Sequence, residues 1–218
     1  MKYKCLVLDH DDTIVNSTAT VHYPCFVQYL CEYHPEIADK FTLEEYLVKN
    51  FDPGVIDFFL NDVGLDREEL KFEERYWAQY VRSHTPIAYC GIAEVMEKFK
   101  AMGGILAVDS HSLRENIERD FRENRLPTPD VIYSWDLPPE QRKPSPYTIF
   151  DLMERFSLKP HEVLVVDDLK PGFDMARGAG VDFAAAGWAY DIPEIADFMR
   201  RHCDFYLSNI GELSKILF

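Results

Sequence analysis

The sequence predicts an α/β fold: a doubly wound parallel sheet interrupted by an inserted α-helical domain. Three observations predict it. Residues 3–9, around "KCLVLD", form a continuous apolar run of the kind that fills a buried strand. From residue 105 onward, short apolar runs alternate with amphipathic helical patterns, the rhythm of parallel strands joined by crossover helices. Between these two regions, roughly residues 18–100 carry helical periodicity and no convincing strand.

The elements follow in order. "TVHYPCFVQYLCEY" sets Val21, Phe26, Tyr29 and Leu30 near one helical face. "TLEEYLVKNF" opens with Thr42 and Glu45 at capping-box spacing. In "DPGVIDFFLNDVG", Asp52 reads as an N-cap and Pro53 as the first turn. "DREELKFEERYWAQYVRSH" is a long amphipathic helix capped by Asp66, and "GIAEVMEKFKAMGG" is a helix stopped by Gly103 and Gly104. Strands then follow at "ILAVDS", "DVIYSW", "EVLVVDD", "DFAAAG" and "DFYLS". Helices lie between and after them at "SLRENIERDFREN", "SPYTIFDLMERFS", "GFDMARGAG", "PEIADFMRRH" and "NIGELSKILF". The expected domains are a core of residues 1–16 and 89–218 and a helical insert of residues 17–88.

Composition narrows the function. The 218 residues are 47% hydrophobic and 14% aromatic, enough to bury a core. The formal net charge of −15 argues against nucleic acid or an anionic membrane surface as the main partner, since both are held through Lys and Arg. No apolar run approaches the ~20 residues of a membrane span, and Asp9 interrupts any signal-peptide core. The five scattered cysteines contain no CxxC and read as reduced thiols. A cytoplasmic protein is expected, monomeric or homodimeric.

In an open parallel sheet the ligand site lies past the carboxyl ends of the strands. Those ends carry Asp9, Asp11, Asp12 and Thr13 after the first strand, and Asp109, Ser110 and His111 after the second. The loop after the third carries Arg142, Lys143 and Pro144, and the fourth strand ends in Asp167 and Asp168. Clustered carboxylates repel one another, so a divalent cation and a lysine are the natural neutralising groups. A strand-end aspartate can attack a phosphoryl group, and a second carboxylate two residues on can serve as acid and base.

These stretches resemble the motifs of the haloacid dehalogenase (HAD) superfamily, in its phosphatase branch with a helical cap. "LVLDHDDTIVNS" is similar to the DxDGT motif, "ILAVDSHS" to the strand ending in Ser or Thr, "QRKPSPYTI" to the lysine motif, and "VLVVDDLKPGFDMARGAGV" to the acidic motif with its glycine at Gly172. The resemblance implies a Rossmann-like core and a Mg2+-dependent phosphatase acting on a small phosphorylated metabolite through an aspartyl-phosphate. It implies Asp9 as nucleophile, Asp11 as acid–base, and Lys143 and Ser110 as phosphoryl-stabilising groups. Mg2+ would be held by Asp9, Asp168, the Asp11 backbone carbonyl and Asp167. Thr13, Ser110, His111 and Lys143 are the expected substrate-binding residues, and residues 17–88 the substrate-selecting cap, with His22, Tyr23 and Lys49 as candidates.

Two positions depart from the pattern. Asp12 stands where the family usually has Gly, and Asp tolerates left-handed backbone better than most residues. Asp109 is an uncommon charge before Ser110, with Lys143, Arg142 or His111 as possible partners. Trp188 and Tyr190 either pack or line the entrance. A sugar phosphomutase on the same core, or a non-enzymatic phosphate- and Mg-binding relative, is the alternative. A receiver-type signalling domain is disfavoured by motif order and by the helical insert.

Overall fold

The computed structural model describes residues 2–218. The chain divides into two compact units: one runs up to Asn16 and resumes over Ile87–Phe218, and the other is Ser17–Pro86. Ile87 and Ala88 belong with the first unit because they pair antiparallel with Asn16 and Val15.

The strands are β1 (Cys5–Leu8), β2 (Val15–Asn16), β3 (Ile87–Ala88), β4 (Ile105–Asp109), β5 (Val131–Tyr133), β6 (Val163–Asp167), β7 (Asp182–Ala186) and β8 (Phe205–Leu207). Among the described residues, six of them form one sheet in the order β5-β4-β1-β6-β7-β8. Its neighbouring strands all pair parallel. β1 sits between β4 and β6 and is buried at every position. That explains its unbroken apolar run, since a strand covered on both faces cannot alternate. The chain winds outward from β1 to β4 and β5, then returns to β6 on the other side of β1. This reversal opens a crevice at the carboxyl end of β1.

The helices are α1 (Tyr23–Tyr33), α2 (Leu43–Phe51), α3 (Val55–Asp57), α4 (Arg67–Val81), α5 (Ile92–Ala101), α6 (Arg114–Glu123), α7 (Tyr147–Phe156), α8 (Lys170–Ala179), α9 (Pro193–His202) and α10 (Ile210–Leu217). In the first unit, Ile92, Met96 and Phe99 of α5, Ile117 of α6 and Leu213 of α10 join Leu6, Leu8, Leu106, Leu164 and Val166 of the sheet in one buried cluster. No helix among the described residues is long and apolar enough to cross a membrane.

In the second unit, α2 starts at the capping box that Thr42 and Glu45 predict, and α4 starts at the expected cap Asp66, which forms a second capping box with Glu69. The core here is aromatic: Phe26, Tyr29, Phe41, Tyr46, Phe58 and Phe59 cluster with Leu30, Val63 and Leu65. One expected cap is corrected. Asp52 does not start a helix; its N–H donates to Val48 O at 3.0 Å and closes α2. The next helix begins at Val55, after Gly54 at φ 111°. Gly54 takes the position before the first helical residue, two residues beyond Asp52, so the Asp52 carboxylate does not stand at the N-cap. A π-helix, Phe58–Val63, continues α3 and ends at left-handed Gly64.

Candidate active site

Three strand ends deliver the acids. The Asp9 N–H donates to Val166 O at 2.9 Å, extending the β1–β6 ladder by one residue. Asp109 ends β4 and Asp167 ends β6. From the loop before α7, the Lys143 Nζ donates to Asp9 Oδ1 at 2.6 Å and to Asp167 Oδ2 at 2.7 Å. All three groups are buried. Burial works against the charge on Lys143, but Asp167, Asp9 and Asp109 outweigh it and hold its pKa above the ordinary lysine value. Burial, with Asp167 and Asp11 nearby, pushes Asp9 well above the usual carboxylate range, and Lys143 opposes that shift.

Asp168 completes the cluster. It is raised by burial and by the charges of Asp167, Asp12 and Asp9. Its Oδ1 accepts from the Thr13 hydroxyl at 3.3 Å and its Oδ2 from the Tyr190 hydroxyl at 2.9 Å. Asp9, Asp167 and Asp168 each offer a carboxylate oxygen, and these oxygens lie within 4.8 Å of one another. Three buried carboxylates face a single ammonium, so with all three ionised the pocket would carry an excess of negative charge. A set made only of oxygen donors suits a hard divalent cation, and the residues present therefore fit Mg2+. Gly172, in the first turn of α8, is required by this packing: a Cβ there would lie 2.1 Å from Asp167 Oδ2, the oxygen that Lys143 holds.

Asp11 faces elsewhere. Its Oδ2 accepts from the Ser112 hydroxyl at 2.6 Å and from the Ser110 hydroxyl at 3.4 Å. Its side chain is not among the three clustered carboxylates, which leaves it available for a different task. Asp12 has φ 54° and its N–H donates to Val15 O at 2.8 Å, so the tight turn forms with an aspartate in place of glycine. His111 donates from Nε2 to Lys143 O, 3.0 Å away. Burial, together with Lys143, pushes its pKa down to about 4, so the ring is neutral near pH 7.

Of the three partners considered from sequence, Lys143 acts on Asp109 through its charge, while the hydrogen bond to Asp109 comes from elsewhere. Asp109 accepts from the Thr148 hydroxyl on α7, and burial, opposed by Lys143, pushes it up to about 6. Arg142 instead donates from Nε to Leu137 O at 2.6 Å and lies 4.0 Å over the Trp135 ring. In the helical unit, the Tyr23 hydroxyl donates to Phe41 O and Lys49 pairs with Asp62, so both are committed within that unit.

Sequence reasoning missed Ser112, Thr148 and Tyr190 as partners of the strand-end acids. Ser112 reads as a helix-flanking serine, and Thr148 and Tyr190 sit 39 and 22 residues from the carboxylates they meet. No local pattern marks them. The Trp188 Nε1 donates to Thr13 O at 3.2 Å, which places "GWAYD" against the aspartate loop.

The model of the haloacid dehalogenase-like hydrolases matches residues 6–186. The chain is 26% identical over 159 residues to the phosphoglycolate phosphatase of Mannheimia succiniciproducens, spanning 70% of this chain and 68% of that protein. It is 27% identical over 183 residues to the phosphoglycolate phosphatase of Nitrosospira multiformis, spanning 81% and 79%. Two solved structures share the fold. A conserved haloacid dehalogenase-like protein of unknown function from Agrobacterium tumefaciens superposes with TM-score 0.72 at 18% identity, covering 99% of this chain and 97% of that one. CbbY from Rhodobacter sphaeroides, in complex with phosphate, superposes with TM-score 0.62 at 21% identity, covering 97% and 96%. With most of its length matched and its acids at the ends of a parallel sheet, the chain belongs to the haloacid dehalogenase-like hydrolase family, as an enzyme of the phosphatase branch.

Proposed function

We propose that the protein is a Mg2+-dependent phosphatase that hydrolyses a small phosphorylated metabolite through an aspartyl-phosphate on Asp9. The observation that carries this reading is the junction of Lys143 with Asp9 and Asp167, beside Asp168. It gathers the nucleophile, the counter-charge and an all-oxygen donor set from three separate parts of the chain. Phosphoryl transfer asks a protein mostly for positioning and charge stabilisation.

Asp9 attacks phosphorus, and the bond from phosphorus to the leaving oxygen breaks. Lys143 stabilises the ionised form of Asp9, against the burial that favours its protonation. Asp11, held by Ser112, gives its proton to the leaving oxygen. It then takes a proton from the water that attacks the aspartyl-phosphate, which releases phosphate and restores Asp9. Ser110 and Lys143 hold the phosphoryl oxygens, and Thr13 orients Asp168 through its hydroxyl. Neutral His111 offers an imidazole to the substrate side without adding charge. Asp9, Asp168, the Asp11 carbonyl and Asp167 would hold Mg2+, which when bound supplies positive charge to the transferring phosphoryl group.

The substrate class follows from the relatives' names and from size: phosphoglycolate or a compound like it, with sugar phosphates next. The helical unit Ser17–Pro86 is read as the part that selects among them. The test is phosphate release from a panel of phosphorylated metabolites, with Mg2+ and with EDTA. Release that requires the metal and ranks small phosphorylated acids first supports the reading. Metal-independent release, or none from any member, overturns it.

A further inference from the structure

His10 lies between the proposed nucleophile and the proposed acid–base, and the reaction as written does not use it. It is 1% exposed. Its Nε2 donates to Asp120 Oδ2, 3.0 Å away on α6. Asp120, 2% exposed, accepts on its other oxygen from Arg119, at 2.8 Å from Nε and 2.7 Å from an Nη. The His10 ring stacks on Phe121, with centroids 6.1 Å apart and planes at 24°. Its Nδ1 is buried with no hydrogen-bond partner.

This arrangement is expensive for mere packing. An unsatisfied buried nitrogen costs about 1–3 kcal/mol, and an apolar side chain would fill the same space without it. Buried polar networks of this kind are often no more stable than hydrophobic replacements. The loop backbone shows what the network holds. The His10 carbonyl accepts from Ile14 N at 3.0 Å and from Val15 N at 3.1 Å, closing the turn that carries Asp11 and Asp12. His10 is therefore fixed twice: through its carbonyl to the far side of the loop, and through its ring to a charged pair on α6. Asp9 and Asp11 project from its two flanks.

We infer that His10 is a positioning residue: with Asp120 and Arg119 it anchors the Asp9–Asp11 loop to α6 and sets both carboxylates for in-line phosphoryl transfer. The inference rests on the phosphatase reading. An error of about 1 Å at such a loop lowers rate on the order of a hundredfold.

Beryllium fluoride, a mimic of the phosphoryl group on an aspartate, tests this apart from turnover. It is titrated with Mg2+ into wild type, His10→Phe, His10→Gln and Asp120→Asn and followed by fluorine NMR, alongside melting temperatures and steady-state kinetics. Phe keeps the ring stack and removes the bond to Asp120; the Gln amide nitrogen reaches the place of Nε2. The expected result is that His10→Phe binds the mimic about tenfold or more weaker and loses kcat in proportion with little change in KM. His10→Gln recovers most of both losses at a similar melting temperature. Equal binding by wild type and His10→Phe overturns the inference. So does a loss in His10→Gln as large as in His10→Phe. If His10→Phe does not fold, Asp120→Asn decides: weaker mimic binding at unchanged KM supports the role, and wild-type binding overturns it. Failure of the wild type itself to bind the mimic defeats the phosphatase reading, and the positioning role with it.

Discussion

The two units bury their difficult groups in opposite ways. At the strand ends of the first, charge is buried with charge: Lys143 bridges Asp9 and Asp167, Thr13 and Tyr190 hold Asp168, and Thr148 holds Asp109. In the helical unit the interior is rings, with Phe26 at 5.0 Å from Tyr46, 5.5 Å from Phe59 and 5.6 Å from Phe58 between centroids. Among the described residues of this unit one acid is buried, Glu73, at 7% exposed. Burial, helped by Glu74 and opposed by His22, pushes it up to about 7. The contrast teaches where chemistry is stored. The first unit keeps titratable groups together at a cost in stability, as the proposed reaction requires; the second uses hydrophobic area for stability and shape.

The comparison breaks most visibly at Asp9. Asp9→Asn keeps the size of the side chain and removes the proposed nucleophile, so activity is expected to fall by on the order of a thousandfold or more. Phosphate-release assays check this, and hydrogen exchange across β1 and β6 stays as in the wild type. Lys143→Met leaves Asp9 and Asp167 without their shared cation. Breaking a buried pair in this way costs about 3–5 kcal/mol, read by urea denaturation, and turnover is lost as well.

Phe26→Ala sharpens the contrast from the other side. Removing a buried ring costs about 3–5 kcal/mol. The loss falls on the helical unit: amides of α1 lose exchange protection while those of β1 and β6 keep theirs. Equal loss in both units would mean that they unfold as one.

The smallest effect is a pH dependence. Glu73 ionises near 4.5 when unfolded and near 7 when folded. As pH rises from about 4.5 to 7, the unfolded chain gives up this proton first, so stability falls across that window and the loss is complete above it. The size is at most about 3 kcal/mol. Glu73→Gln flattens the decline and raises the melting temperature at pH 8 more than at pH 5. The groups facing it, His22, Glu74, Cys25 and Tyr29, remain in place.

What the sequence made legible follows the same division. That the sheet is parallel could be read because buried strands and amphipathic helices leave distinct periods. Asp9, Lys143 and Asp167–Asp168 stood out because each sits in a short stretch whose residue types make sense together. Tyr190, Thr148 and the Asp120 partner of His10 did not, because a side chain reaching across the fold leaves no local trace. Asp52 misled for a related reason: Asp-Pro marks a helix boundary without saying which of two adjacent helices owns it. The Ser112 hydroxyl bond to Asp11 needed the turn after β4 in three dimensions.

The central claim is that the strand-end acids form one phosphoryl-transfer site with Asp9 as its covalent centre. Borohydride reduction of the enzyme quenched during turnover, followed by peptide mass spectrometry, tests it most directly. The account predicts that the peptide spanning Lys4–Ser17 is reduced at Asp9 only in the presence of substrate, with more label in Asp11→Asn, where hydrolysis of the intermediate is slowed. Turnover with no label at Asp9 in either protein, or label at another carboxylate, would contradict it.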